Sequence, residues 1–293
     1  MNPPVGSSPA ARLRALLARP GLLVMPCCFD ALSARLIEDA GFPLTFMSGF
    51  AVSAARLGAP DTGLISYGEM LDQGRDICAA VSIPVIGDAD TGYGNPVNVR
   101  RTVLGYARAG FACAMIEDQL APKRCGHVAG KEVVGRGEAL ARVRAAVDAR
   151  ESGADVLVMA RTDARGPLGL EEALWRGRAF ADLGADLVFV EAPQSEAELA
   201  RVPREVPVPC MANLVEDGAT PLLPHERLEA MGYRIAAYPL TLLNVAVRAM
   251  QEALADLRAG RSPERRLSFA ELKRTVGFDA YDALQRRYAV EDA

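Results

Sequence analysis

No run of 18 apolar residues free of charge occurs anywhere in the 293 residues, so the sequence offers no membrane-spanning helix. The N-terminal stretch lacks a basic region followed by an apolar signal core. Zinc-ligand spacing is also missing: Cys27, Cys28, Cys78, Cys113, Cys125 and Cys210 form no CxxC pair. Cys113 and Cys210 sit in apolar runs and read as inert core thiols. These absences predict a reducing, cytoplasmic setting. Basic residues are not in excess: Lys plus Arg is 33 and Asp plus Glu is 37, a net charge of -4. That balance argues against nucleic acid as the main partner. The first strand-to-helix turn carries no GxGxxG, which leaves dinucleotide binding without support.

What is present is regular. Half the residues are hydrophobic (50%), enough for one large α/β domain. Eight short apolar runs recur, at 22–25, 44–47, 84–87, 112–116, 155–160, 186–190, 208–212 and 233–238. Amphipathic stretches at 31–41, 97–110, 137–154 and 170–185 separate several of them, with apolar residues three and four apart. Gly41, Gly110, Gly153, Gly184 and Gly232 precede strands, where glycine can end a helix in the left-handed conformation. Eight such units predict a (β/α)8 TIM barrel spanning 1–293 as one domain, with 245–293 as a C-terminal helical region. An open doubly wound sheet, the alternative, carries fewer strands in one domain.

The runs end in polar residues: Ser48 and Gly49, then Asp88 and Asp90, Glu117 and Asp118, Arg161 to Asp163, Glu191, Asn213 and Tyr238. A barrel brings strand ends to one mouth, where barrel enzymes do their chemistry. Asp88, Asp90 and Glu117 offer hard oxygen ligands, which suit Mg²⁺ or Mn²⁺ better than zinc. A turn-forming role for the Asp-Ala-Asp-Thr-Gly run is the plainer alternative. Cys125 lies in KRCGH, between Lys123, Arg124 and His127. Nearby positive charge eases thiolate formation and suits the sulfur to proton transfer. A Cys–His nucleophile is the rival, but no acyl-transfer feature accompanies it. Gly126 and Gly130 let the loop bend. Arg161 can clamp a carboxylate, Asn213 can donate to a second carboxylate or an oxyanion, and Glu191 can orient Arg161. Asp61 belongs with these residues, whereas His225 reads as a helix-start or surface residue. Together they predict a small di- or tricarboxylate chelated to a divalent cation.

At these residues the chain resembles the isocitrate lyase/phosphoenolpyruvate mutase superfamily. The resemblance is carried by SGFAVSAARLGAPD at 48–61, GDADTGYGNPVNV at 87–99, IEDQLAPKRCGH at 116–127, MARTDAR at 159–165, FVEAP at 189–193 and MANLVEDGATPL at 211–222. It implies a TIM barrel whose last helix, around 263–290, is exchanged between subunits of a homotetramer. It further implies that Asp88 holds Mg²⁺ directly, with Asp90, Glu117 and Glu191 acting through water. Ser48, Gly49, Phe50 and Arg161 then bind the 2-oxo or 2-hydroxy acid end of the substrate. Arg124, Gly126, Glu191, Asn213 and Asp61 complete the binding set, and the loop at 119–133 gates it. Cys125 matches the proton donor of the lyase branch, with Lys123, His127 and Glu117 beside it. Mutases acting on phosphonopyruvate and the decarboxylases of the family lack the KRCGH pattern. Asn213, Leu214, Val215 and Glu216 are more similar to the branch that includes 2,3-dimethylmalate lyases, oxaloacetate hydrolases and carboxyphosphonoenolpyruvate mutases than to methylisocitrate lyases. Phe46 stands where some relatives carry a tyrosine able to act as a base. The implied activity is Mg-dependent carbon–carbon cleavage of a 2-substituted malate or methylisocitrate-like acid to pyruvate or another 2-oxo acid. A phosphonomutase or an oxaloacetate hydrolase is the alternative.

Overall fold

Each apolar run becomes a strand because both of its faces are covered. A computed structural model describes residues 7–126 and 130–289. The strands are β1 Leu23–Cys28, β2 Thr45–Met47, β3 Val85–Asp88, β4 Cys113–Glu117, β5 Leu157–Thr162, β6 Leu187–Val190, β7 Cys210–Asn213 and β8 Ile235–Tyr238. Every residue of β2 to β6 is buried, as expected for a parallel sheet wrapped in helices. The strands pair in parallel, each with the next, and β8 closes on β1 through Leu23–Ile235 to Pro26–Tyr238, giving the expected eight-stranded barrel.

Alternation along the strands divides the core in two. Met25, Phe46, Ile86, Met115, Met159, Phe189 and Met211 point inward, joined by Ala10 and Leu13 of helix Pro9–Leu17. Val85, Ala114, Val158 and Val188 point outward into the helical layer, with Tyr106 and Phe111.

Several strands run further than their apolar residues. β3 takes in Asp88, β5 Arg161 and Thr162, and β7 Asn213. Their backbones remain in the ladder, Asp88 opposite Met115, Glu117 opposite Arg161, and Asn213 opposite Ala237. Ladder bonds use main-chain groups, so hydropathy alone misses these polar tips. The five helix-ending glycines hold positive φ, from 85° at Gly41 to 104° at Gly153. Helix Tyr67–Ala80 lies outside the four amphipathic stretches, yet its start is signalled by a capping box between Ser66 and Glu69.

The chain divides into two compact units, Met1–Leu242 and Leu243–Ala293. In the second, the single helix expected around 263–290 is two, Phe269–Thr275 and Phe278–Arg287, interrupted at Gly277 with φ 89°. No helix among the described residues is long and apolar enough to cross a membrane.

Candidate active site

β2 and β3 build one wall of the barrel mouth. Ser48 caps the short helix Gly49–Val52, accepting from the Ala51 N–H at 3.3 Å. That orientation lets the Gly49 N–H donate to Asp88 Oδ2 at 3.1 Å. A β-carbon on Gly49 would lie 2.5 Å from the same oxygen, so only glycine permits the approach. Asp88 Oδ1 accepts from the Asp90 N–H at 3.1 Å, and Tyr106 donates to the Asp88 carbonyl at 2.7 Å. Asp90 and Tyr93 both hold left-handed backbone, φ 49° and 60°, a strain typical of functional turns. Burial, then the neighbouring charge of Asp90, pushes the Asp88 carboxyl up to about 6.

Lys123 crosses to this wall. Its ammonium lies 2.6 Å from Asp61 Oδ1 and 2.7 Å from Asp90 Oδ1. Burial opposes its charge, but Asp90, Asp88, Asp61 and Glu117 outweigh that and hold it protonated well above the usual lysine range. The cation that the KRCGH spacing set beside the thiol is thus committed to two carboxylates.

β4, β5 and β6 build the opposite wall around Arg161. Its Nε and Nη2 donate to Asp163 Oδ2 and Oδ1 at 2.8 and 3.0 Å. Glu191 Oε2 is 3.0 Å from Nη2, and Glu117 Oε2 is 3.3 Å from Nε. The Nε–Nη2 edge is therefore used inside the protein, and a substrate carboxylate cannot be clamped through it. Burial pushes Glu117 well above the usual carboxylate range, although Arg161 pulls it down. Asp163 goes the other way: burial opposes its charge, but Arg161 and Lys131 outweigh it and lower its pKa. Asn213 donates to both oxygens of Glu191 at 3.4 Å, so its amide faces a protein carboxylate as well as the cavity.

Buried cations pin these strand ends from behind. Arg176 lies 2.9 Å from Asp118 Oδ2, which also accepts from Thr162 at 2.6 Å, while Asp118 Oδ1 accepts from the Asp163 N–H at 2.8 Å. Arg142 donates to the carbonyls of Glu117 and Gln119 at 3.2 and 2.7 Å.

The segment after β4 folds over the mouth. Gln119 holds the Arg124 backbone from both sides, accepting from its N–H at 3.0 Å and donating to its carbonyl at 2.8 Å. Gly126 lies against Arg161 and Glu191. Ser48, Phe50, Asp61, Asp88, Lys123, Arg124, Cys125, Gly126, Arg161, Glu191 and Asn213, all expected from the sequence, line one cavity. Its volume is only ≈ 50 Å³, room for a few waters. Gly49, Asp90 and Glu117 do not line it but contact Asp88, Lys123 and Arg161, which do. His127 lies outside the described residues.

Beyond Phe46 and Phe50, the apolar part of the lining was not read from the sequence. Phe46, Met115, Phe189 and Met211 stand two residues before Ser48, Glu117, Glu191 and Asn213, so strand alternation turns each to the same side. That period was the available signal. Val215 and Leu240 also line the cavity, and Lys131 touches Asp163; these loop positions carried no such period.

Among the described residues, no three Asp, Glu, His or Cys side chains close into a metal cage. The donor set fits a hydrated, hard divalent ion instead. Among the described residues at these strand ends, Asp61, Asp88, Asp90, Glu117, Asp118, Asp163 and Glu191 are seven buried carboxyl groups against five enclosed cations, Lys123, Lys131, Arg142, Arg161 and Arg176. Glu117 Oε1 is buried with no hydrogen-bond partner among the described residues. An added cation would relieve both conditions.

A closed barrel with charged groups concentrated on its strand tips is the arrangement of a barrel enzyme. The chain belongs to the isocitrate lyase/phosphoenolpyruvate mutase superfamily of enzymes: the family described as phosphoenolpyruvate phosphomutase matches residues 13–258. It is 41% identical to the 2,3-dimethylmalate lyase of Eubacterium barkeri, over 96% of this chain and 98% of that one. A probable 2-methylisocitrate lyase of Corynebacterium glutamicum is 44% identical over 84% of this chain and 79% of its own. Among solved structures, oxaloacetate acetylhydrolase bound to the inhibitor 3,3-difluorooxalacetate superposes with a TM-score of 0.92 at 38% identity, covering 98% of this chain and 99% of that one. Phosphonopyruvate hydrolase, solved with oxalate and Mg²⁺, gives 0.85 at 32% identity, covering 96% and 99%.

Proposed function

We propose that the protein is a carbon–carbon lyase that splits a 2-hydroxy dicarboxylate of the substituted-malate type into a 2-oxo acid and a carboxylate. The observation that carries this reading is the composition of one cavity. Polar and charged groups, Ser48, Asp88 and Arg161, share it with the Cys125 thiol and with the apolar side chains Phe46, Met115, Phe189 and Met211. Charged ends of a small acid suit the former, and alkyl substituents suit the latter.

Mg²⁺ or Mn²⁺ held through Asp88, with Asp90, Glu117 and Glu191 behind it, would supply positive charge to the substrate's C1 carboxylate and C2 oxygen. Ser48 and Phe50 orient the 2-hydroxy acid end, while the Gly49 N–H holds Asp88. A base takes the C2 hydroxyl proton, and C2 becomes a ketone as the C2–C3 bond breaks. The bond electrons pass to C3, forming the enolate of a carboxylate. Cys125 gives C3 its proton. Lys123 and Asn213, with His127, oppose the negative charge that develops on the departing carboxylate. Phe46 has no basic group, so the hydroxyl proton does not leave through that position. Arg161, locked to Asp163 and Glu191, sets the field of the site.

The test is 2-oxo acid release, with added Mg²⁺, from 2,3-dimethylmalate, 2-ethyl-3-methylmalate, 2-methylisocitrate and isocitrate. Release from one of the branched acids is expected. A folded, metal-loaded enzyme silent on all four would sink the reading. A second reading, hydrolysis of oxaloacetate to oxalate and acetate, is supported by the likeness to oxaloacetate acetylhydrolase and is separated by assaying oxalate in parallel.

The proposal extends to a homotetramer of helix-exchanging dimers. The second unit supports it, because Val245, Met250, Leu254, Phe269 and Tyr281 are exposed in the single chain. Large exposed apolar surface on a chain segment marks a protein interface.

A further inference from the structure

Lys131 has no part in the chemistry above, yet it is one of the most enclosed cations in the barrel unit, with its side chain 6% exposed. Burying an ammonium is costly unless each of its protons is well used. Here it joins two separate segments. The Nζ lies 2.9 Å from Asp163 Oδ1, and it also donates to the Gly126 carbonyl. Asp163 is itself bonded on both sides: Arg161 binds both its oxygens, and its N–H donates to Asp118. Gly126 follows Cys125 directly and lies where a β-carbon would meet Glu191 Oε2 at 2.2 Å and Arg161 Nη2 at 2.5 Å. One ammonium therefore connects the residue after the thiol to the residue that follows β5.

We propose that Lys131 is a positioning residue that holds the Cys125–Gly126 turn against the Arg161–Glu191 pair. Its catalytic consequence rests on reading Cys125 as the proton donor; its effect on the thiol does not. Asp163 has Arg161 as a counter-ion already, so neutralising it does not require Lys131. What the lysine adds is the bond to the Gly126 carbonyl, which ties the segment bearing the thiol to the end of β5.

The experiment compares wild type with Lys131→Met and Lys131→Arg in the Mg²⁺-loaded enzyme. Iodoacetamide labelling is followed by peptide mapping at Cys125, with Cys78, the other cysteine that is not fully buried, as the reference in the same digest. Removing a charge-assisted hydrogen bond should change the Cys125-to-Cys78 labelling ratio by roughly tenfold in Lys131→Met. Lys131→Arg, which keeps a cationic donor, should return the ratio most of the way to wild type. On whichever acid proves to be the substrate, kcat should fall by about tenfold or more, with KM within about threefold. A labelling ratio unchanged in folded Lys131→Met overturns the proposal, whatever happens to turnover. A loss carried by KM alone overturns the catalytic use of the tether. Should Lys131→Met not fold, Lys131→Gln carries the same comparison, since its uncharged side chain stays polar but is one atom shorter and loses the charge-assisted bond. If no acid is cleaved, the labelling arm still reads the position of the thiol, so failure of the lyase reading and failure of this one are separate results.

Discussion

Gly126 lies so close to Glu191 that a β-carbon on it would fall 2.2 Å from the Glu191 Oε2 atom, well inside any real contact. The glycine of KRCGH is thus required by a neighbour on another strand as well as by the bend of its own loop. Glu191 cannot readily give way, because Arg161 holds Oε2 at 3.0 Å and the Ala192 N–H donates to Oε1 at 2.9 Å.

Gly126→Ala should therefore displace the turn rather than Glu191. Turnover is expected to fall by roughly 100-fold, the scale of a misplaced catalytic group, with unfolding free energy within about 1 kcal/mol of wild type. Steady-state kinetics beside a urea melt checks both. Normal kcat/KM in Gly126→Ala would mean that the turn is not seated there during the reaction.

Cys125→Ser should separate chemistry from folding. The residue is only partly buried, so serine fits without a cavity or a new unsatisfied core group. A hydroxyl is a far weaker acid than a thiol, and loss of a general acid costs about 10² to 10⁴ in rate. Thermal midpoint and Mg²⁺ affinity should stay at wild-type values while 2-oxo acid release nearly vanishes.

Asp88 gives a pH signature in the metal-free protein. Its carboxyl is raised from an ordinary 3.8 to about 6 in the folded state, by burial first and Asp90 second. The native state therefore holds this proton where the unfolded chain has lost it. By linkage, stability from this group is complete below about pH 4 and declines as pH rises through about 6. The difference in unfolding free energy between wild type and Asp88→Asn should fall across that window and level off above it. The same substitution should abolish tight Mg²⁺ binding in a calorimetric titration. Retained binding would remove Asp88 from the metal site.

The apolar face of residues 243–293 should be an interface. Wild type is expected to run as a tetramer by light scattering. Leu254→Glu, on a residue 64% exposed in the single chain, should break it into smaller species without unfolding the barrel. A wild-type mass of one chain would refute the assembly.

How far the sequence carried can be seen residue by residue. Asp88, Glu117, Arg161, Glu191 and Asn213 were legible because each terminates an apolar run, and a barrel sends every such end to one place. The exact ends of the strands were less so: Arg161 and Thr162 belong to β5, since ladder bonds ignore side-chain polarity. The apolar lining was recoverable from alternation but was obscured by the charges two residues further on. Lys131 had no local mark, because its meaning depends on Asp163 and Gly126 meeting across the mouth.

The sequence by itself determined the barrel and the inventory of its mouth, because burial period, helix caps and strand-end chemistry are local properties of the chain. Only the tertiary structure decided how that inventory is spent. Closure of β1 to β8 brings Lys123 between Asp61 and Asp90, sets Glu191 on Arg161, and seats Gly126 on Glu191. Those pairings depend on placing segments far apart in the chain to within about an ångström, and barrel geometry, not local pattern, sets that placement.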